Sequence, residues 1–160
     1  MDNVSMVQMI KSDKPKSFWQ SLRMRLFPRR GTASRIFLEI DYYRLQGLLT
    51  KQHHDKYRAL SVQFRRLRQL LDGGLLYPCK KVPDNLITMN SVIRLRSRRG
   101  TEFTVCLVYP READKSQRKR SVLSPLGLAL IGKTEGEMMR PSMTIEKILY
   151  QPESVGNYYQ

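Results

Sequence analysis

Residues 121–137 read Ser-Val-Leu-Ser-Pro-Leu-Gly-Leu-Ala-Leu-Ile-Gly-Lys-Thr-Glu-Gly-Glu. Ser121-Val122-Leu123 is a short strand. Ser124-Pro125 then places a helix-capping hydroxyl directly before the one helical position that tolerates proline. A helix through Ile131 follows, closed by Gly132, and Gly136-Glu137 makes a turn. Strand, capped helix and turn in 17 residues point to a small α+β unit.

The flanking sequence agrees. On the N-terminal side, Ser91–Arg96 alternates, with Val92, Arg94 and Arg96 on one side and Ile93 and Leu95 on the other. Arg98-Arg99-Gly100 is a turn, and Thr101–Tyr109 returns as a second strand, which predicts a β-hairpin. Pro110–Arg120 is a charged loop ending in Arg118-Lys119-Arg120. On the C-terminal side, Thr144–Tyr150 is a final strand. Residues 83–160 are therefore expected to form an antiparallel sheet with one short helix.

Upstream, Leu38, Tyr42, Leu45 and Leu49 recur at intervals of four, three and four, and Tyr57, Leu60, Phe64, Leu67 and Leu71 at three, four, three and four. These are helical seams. Asp41 lies near the start of the first, where an acid is favourable. Gln52-His53-His54-Asp55 separates the two, and so short a connection predicts a short antiparallel helical hairpin over residues 36–77. Gly73-Gly74 stops the second helix. Its outer face carries Arg58, Arg65, Arg66 and Arg68 without an acid. Pro78, Lys80, Lys81 and Pro83 mark residues 75–85 as a linker.

The chain has 29 Lys+Arg against 14 Asp+Glu, a formal net charge of +15. Such a surplus calls for an acidic partner. Residues 1–35 are the most basic stretch for their length and read as an N-terminal extension. Within it, residues 16–27 have the spacing of a short amphipathic helix with Phe18, Trp19, Leu22 and Leu26 on one face. Arg23, Arg25, Arg29 and Arg30 make it a basic arm suited to non-specific nucleic-acid contact or to an anionic membrane surface. The N-terminus has no signal-peptide apolar region, and no apolar run approaches the roughly 20 residues of a membrane span. Cys79 and Cys106 share no metal-ligand spacing and read as free thiols of a cytoplasmic protein.

Residues 121–137 resemble the signature of the C-terminal domain of the Gre transcript-cleavage factors: a Ser, then Ser-Pro, an apolar residue, a small residue, a small-apolar helix and an acidic turn. Ile87–Leu95 leading to Leu107-Val-Tyr-Pro110, and Ile148–Tyr158, are similar to the Rnk group, the regulators of nucleoside diphosphate kinase. The resemblance implies an FKBP-like domain that grips RNA polymerase at its secondary channel, with the helical hairpin pointing toward that channel. It places Ser124, Pro125, Leu126 and Gly127 at the docking surface, with Lys133 beside them as a surface cation suited to charge reversal. The segment between Glu137 and Thr144 is shorter than is usual in the family, which predicts a reduced sheet edge.

Gre-type cleavage relies on two carboxylates at the hairpin tip to hold a second magnesium ion in the polymerase. Here the tip is Gln52-His53-His54-Asp55-Lys56. It has one acid, which also occupies the N-cap position of the second helix, and a lysine beside it that opposes a cation. His53 and His54 are adjacent and do not converge as an i, i+4 metal-binding pair would. The helices, at 11 and 17 residues, would reach about 16 and 25 Å, short for this family. The expected protein is thus a monomeric RNA polymerase-binding regulator with no catalytic residue, metal or cofactor of its own. Two other readings are a nucleic-acid or membrane adaptor acting through residues 11–35, and a peptidyl-prolyl isomerase-like enzyme, which the implied fold admits. The isomerase reading lacks an aromatic-lined pocket, since Trp19 lies outside the domain.

Overall fold

The computed structural model describes residues 35–53, 55–78, 82–139 and 143–157. The arm residues Arg23, Arg25, Arg29 and Arg30, the amphipathic stretch 16–27, His54 and Cys79 lie outside the described residues.

Strand β1 (Ile36–Leu38) leads directly into helix α1 (Glu39–Leu49). Two 3-10 turns, Thr50–His53 and Asp55–Leu60, connect it to α2 (Ser61–Asp72). The two seams are buried except for Leu60, which is half-buried and, with Tyr57, lies in the 3-10 turn before α2. Tyr42, Leu45 and Leu49 from α1, and Tyr57, Phe64, Leu67 and Leu71 from the second half, are all buried. Tyr57 meets Phe64 edge to face, with ring centroids 5.7 Å apart. Leu38 belongs to β1 instead of the first helix. Asp55 opens a 3-10 turn and does not cap α2, whose N-cap is Leu60 without a side-chain bond.

The segment read as a linker begins as a strand. β2 (Leu75–Tyr77) runs parallel to β1, with Ile36 opposite Leu75 and Leu38 opposite Tyr77. The turn into it requires glycine at position 74, where a Cβ would lie 2.5 Å from the Phe37 ring. Arg35, grouped by sequence with the arm, is part of this body. Its guanidinium donates to the carbonyls of Ala129 at 2.9 Å and Ile131 at 2.7 Å.

The larger sheet has five strands in the order β5-β4-β3-β7-β6. β3 (Val92–Ser97) and β4 (Glu102–Val108) form the expected hairpin. Its turn places Gly100 at φ +82, a conformation that suits glycine. β7 (Met143–Tyr150) lies antiparallel to β3 on its other side. β5 (Lys119–Ser121) runs parallel to β4, so the sheet is mixed and not antiparallel throughout. The charged loop after β4 carries the chain back along that strand, and Lys119 and Arg120 enter the sheet. The shortened segment still supplies an edge strand, β6 (Met138–Met139), paired with β7.

Helix α3 (Pro125–Leu130) packs against α2 and β5. Ile93, Leu95, Val105, Leu107 and Ile145 from the sheet, and Leu128 and Leu130 from α3, are all buried. This is an α+β fold.

Candidate functional site

The entry to α3 is built by its own side chains. Ser124 is extended, with φ −69 and ψ 155, and its Oγ accepts from the Gly127 N–H at 3.0 Å. The same hydroxyl donates to the Ser121 carbonyl at 2.6 Å. One side chain thus satisfies an orphan donor of the helix and an acceptor of the preceding strand. Pro125 is exposed at the first helical position, Leu126 is half-buried and Gly127 is buried. Ser124→Ala is expected to cost about 1 kcal/mol of unfolding free energy, read as a lower urea midpoint. A shift below a quarter of that would show the cap to be redundant.

Lys133 is not a free surface cation. Its Nζ bonds Glu137 Oε2 at 2.5 Å, and its side chain is 16% exposed. Glu137 Oε1 accepts from the Thr134 N–H at 2.8 Å and hydroxyl at 3.0 Å. Partial burial alone would raise the Glu137 carboxyl, but Lys133 and Thr134 outweigh it and hold the group below its usual range. Lys133 therefore closes the turn after α3, and Lys133→Glu would break that turn. The structure sets Ser124–Gly127 and Lys133 at opposite ends of α3, six residues long, or about 9 Å. At the tip, the backbone of His53 and Asp55 lies in the two 3-10 turns.

Sequence reading missed a buried polar cluster where α1 meets the sheet. Asp41 is 2% exposed, and its Oδ2 accepts from the Met89 N–H at 2.9 Å. Burial pushes its carboxyl up to about 7, partly opposed by the Met89 bond and by Arg44, and reinforced by Glu153. Glu153 is also raised, chiefly by burial, and accepts from the Thr88 hydroxyl at 2.7 Å. The Thr88 N–H bonds Ser91 Oγ at 3.1 Å, and the two hydroxyls lie 3.0 Å apart. With Thr88 donating to Glu153, Ser91 is the donor between them. The Tyr109 phenol beside Asp41 and Arg44 is raised by burial. The signal was present in the spacing: Asp41, Leu45 and Leu48 share one i, i+4, i+7 stripe, and a carboxylate on an apolar stripe is buried with partners or not at all. Among the described residues, no group of three His, Cys, Asp or Glu side chains is placed to hold a metal ion. No helix there is long and apolar enough to cross a membrane.

A capped short helix beside a mixed sheet, preceded by two short helices, defines a small α+β class. The comparisons narrow it. Residues 82–148 match the family model of the transcription elongation factor GreA/GreB C-terminal domain. The regulator of nucleoside diphosphate kinase of Escherichia coli (strain K12) is 30% identical over 97 residues, 55% of this chain and 71% of that protein. The regulator from Shigella flexneri gives the same values. Among solved structures, a prokaryotic transcription elongation factor GreA/GreB from Nitrosomonas europaea superposes with a TM-score of 0.59 at 26% identity. It covers 74% of this chain and 100% of its own. The chain belongs to the Gre/Rnk family: the regulators of nucleoside diphosphate kinase are its relatives, and its residues 82–148 carry the GreA/GreB C-terminal domain.

Proposed function

We propose that this chain is a cytoplasmic transcription regulator that docks on RNA polymerase at the secondary channel and cleaves no transcript itself. In this reading the sheet with α3 is an FKBP-like docking domain covering residues 83–160, and residues 36–77 are a short hairpin directed at the channel. The observation that carries it is the fully built α3 entry inside the family match: Ser124 capped on Gly127, with Pro125 and Leu126 left accessible. Against cleavage stands the tip. Asp55 is the one acid between Thr50 and Leu60, and a two-carboxylate cation site cannot be made from it. Helix α1, with 11 residues, extends about 16 Å. The exposed arginines Arg65, Arg66 and Arg68 of α2, with Arg58 in the 3-10 turn before it, suit an accessory contact with nucleic acid near the polymerase.

Immobilised core polymerase is expected to retain the purified protein, and a cleavage-competent Gre factor to displace it. Pro125→Glu places an exposed charge at a helical position that accepts it and is expected to weaken retention without unfolding α3. Backtracked complexes given the protein should cleave RNA at the polymerase's own rate. Absence of retention at low salt would overturn the docking reading. Magnesium-dependent cleavage that is lost in Asp55→Ala would overturn the non-catalytic one.

A further inference from the structure

The two ends of the large sheet are finished differently. At the β7 edge, Glu137 and Gly136 bond the backbone of Ile145 at 3.0 and 2.8 Å, and the Ile148 N–H is taken by Glu135 Oε1 at 2.6 Å. That edge is closed by design of the chain. At the opposite edge, β5 covers only Cys106, Leu107 and Val108 of β4. The rest of β4 runs on from Val105 back to Glu102 with no strand beside it among the described residues.

The ladder fixes which groups are left open. Leu107 N–H bonds Ser91 and Thr101 C=O bonds Ser97, both on the β3 side, whereas Cys106 N–H bonds Arg118 on the β5 side. Successive residues of an antiparallel strand alternate between neighbours. The N–H and C=O of Glu102 and Thr104 therefore point outward at the free edge. Apart from the charge of Glu102, this stretch of β4 has none of the devices that usually blunt an edge. It contains no proline or lysine, and its register with β3 is unbroken by a bulge.

A shallow cleft of about 250 Å³ lies along this edge, lined by Glu102, Phe103, Thr104, Val105, Arg118 and Arg120. Its charge is basic. Arg118 and Arg120 outnumber its one acid, Glu102, which shares Arg96 with Glu146. Arg120, half-buried beside the exposed Arg118, adds a second guanidinium to the cleft wall, and a carboxylate is its natural partner. Phe103, 36% exposed, offers an apolar seat at the same place.

We infer that the free edge of β4 at Glu102–Val105 receives an extended acidic segment of a partner protein, added to the sheet as a further strand. Backbone pairing with Glu102 and Thr104 holds the segment. Its acidic side chains reach Arg118 and Arg120, and an apolar one covers Phe103. A second copy of this chain is a poor occupant, because edge-to-edge pairing would set Arg118 and Arg120 against their own like. The chain's residues 1–35, with eight basic and two acidic side chains, have the same wrong sign. The surface is distinct from the α3 entry, so its test does not depend on polymerase docking.

The probe is a fluorescein-labelled peptide of alternating Glu and Val, with a Lys/Val peptide as control, titrated into the full chain. The acidic peptide alone is expected to bind, and to slow hydrogen exchange at the Glu102 and Thr104 amides. Arg118→Glu with Arg120→Glu should weaken it by about tenfold or more, the worth of one lost charge-assisted bond. Thr104→Pro, which removes an outward N–H and no ladder bond, should abolish it. If that variant does not fold, the exchange measurement on the unaltered chain decides alone. Binding without protection of those two amides would overturn the inference in favour of diffuse charge attraction. Protection that rises with protein concentration and needs no peptide would assign the edge to a second copy. Peptide binding seen only after deletion of residues 1–35 would assign it to the chain's own arm.

Discussion

Gly127→Ala is expected to destabilise the protein by about 3 kcal/mol or more, near the upper end for an overpacked core site. The cause is backbone against backbone. A Cβ at position 127 would stand 2.1 Å from the Ser121 carbonyl oxygen and 2.7 Å from Val122 Cα. Neither is the end of a flexible side chain, so relief requires α3 to lift from the strand that precedes it. Lifting α3 loosens the Ser124 cap, the packing against α2 and both Arg35 bonds to Ala129 and Ile131. For a chain of this size the midpoint of thermal unfolding should fall by about 10 °C. Gly47→Ala is the matched control. Position 47 is exposed inside α1, and a Cβ there meets nothing within 4 Å. Its helical backbone suits alanine, so the change should stabilise by about 0.5–1 kcal/mol. Calorimetric scans of the two variants would settle both signs. Equal, small effects would show that α3 can shift at no cost.

The small residue after Ser-Pro-Leu is thus explained by contact geometry, and it was readable only as part of a pattern. The strands β3, β4 and β7 were legible because alternation is local: Ile93 and Leu95 face inward whatever lies beside them. The helices were legible because their seams keep a helical period. β1 and β2 were not, since three-residue strands have no period. Their pairing joins Ile36 to Leu75 across the whole helical segment, and only that distant partner makes Leu38 a strand residue. The direction of β5 was equally hidden. Ser121-Val-Leu is apolar enough to suggest a strand, but the strand is Lys119–Ser121, and Val122 and Leu123 form the turn before α3; both its place and its parallel course depend on how the loop after β4 returns. Among the site residues, Ser124 and Pro125 declared their roles through chemistry specific to a helix start. Lys133 did not, because a lysine four residues before a glutamate looks the same whether solvated or closed upon it. Arg35 looked like one more charge of a basic arm, and its guanidinium turns out to hold the end of α3.

Asp41 has the other large consequence, and it depends on pH. In the folded protein its carboxyl titrates near 7, against 3.8 for an exposed aspartate, with burial as the dominant cause. A carboxyl raised on folding binds more protons in the native state than in the unfolded one. Its contribution is therefore fully present below pH 4 and is lost as pH rises through 7. Glu153, raised in the same direction, adds to the trend. Asn at position 41 cannot ionise and still offers an oxygen to the Met89 N–H. The stability advantage of Asp41→Asn over the native protein should widen by on the order of 3 kcal/mol between pH 5 and pH 8, since each pKa unit is worth about 1.36 kcal/mol. Asp41→Ala should be less stable than Asp41→Asn at both values, because it leaves the buried Met89 N–H unpaired at a cost of about 1–3 kcal/mol. Urea titrations at pH 5, 6.5 and 8 read these differences directly. The charged groups that face Asp41 come from three elements: Arg44 on α1, Tyr109 after β4 and Glu153 in the C-terminal 3-10 turn. Of these, only Glu153 reinforces a pH dependence in the acidic to neutral range. A constant gap between Asp41→Asn and the native protein from pH 5 to 8 would mean that Arg44 neutralises the carboxylate throughout. The join between α1 and the sheet would then be an ordinary buried ion pair. A gap that opens with pH would show that the helices are held to the sheet most firmly by a protonated acid.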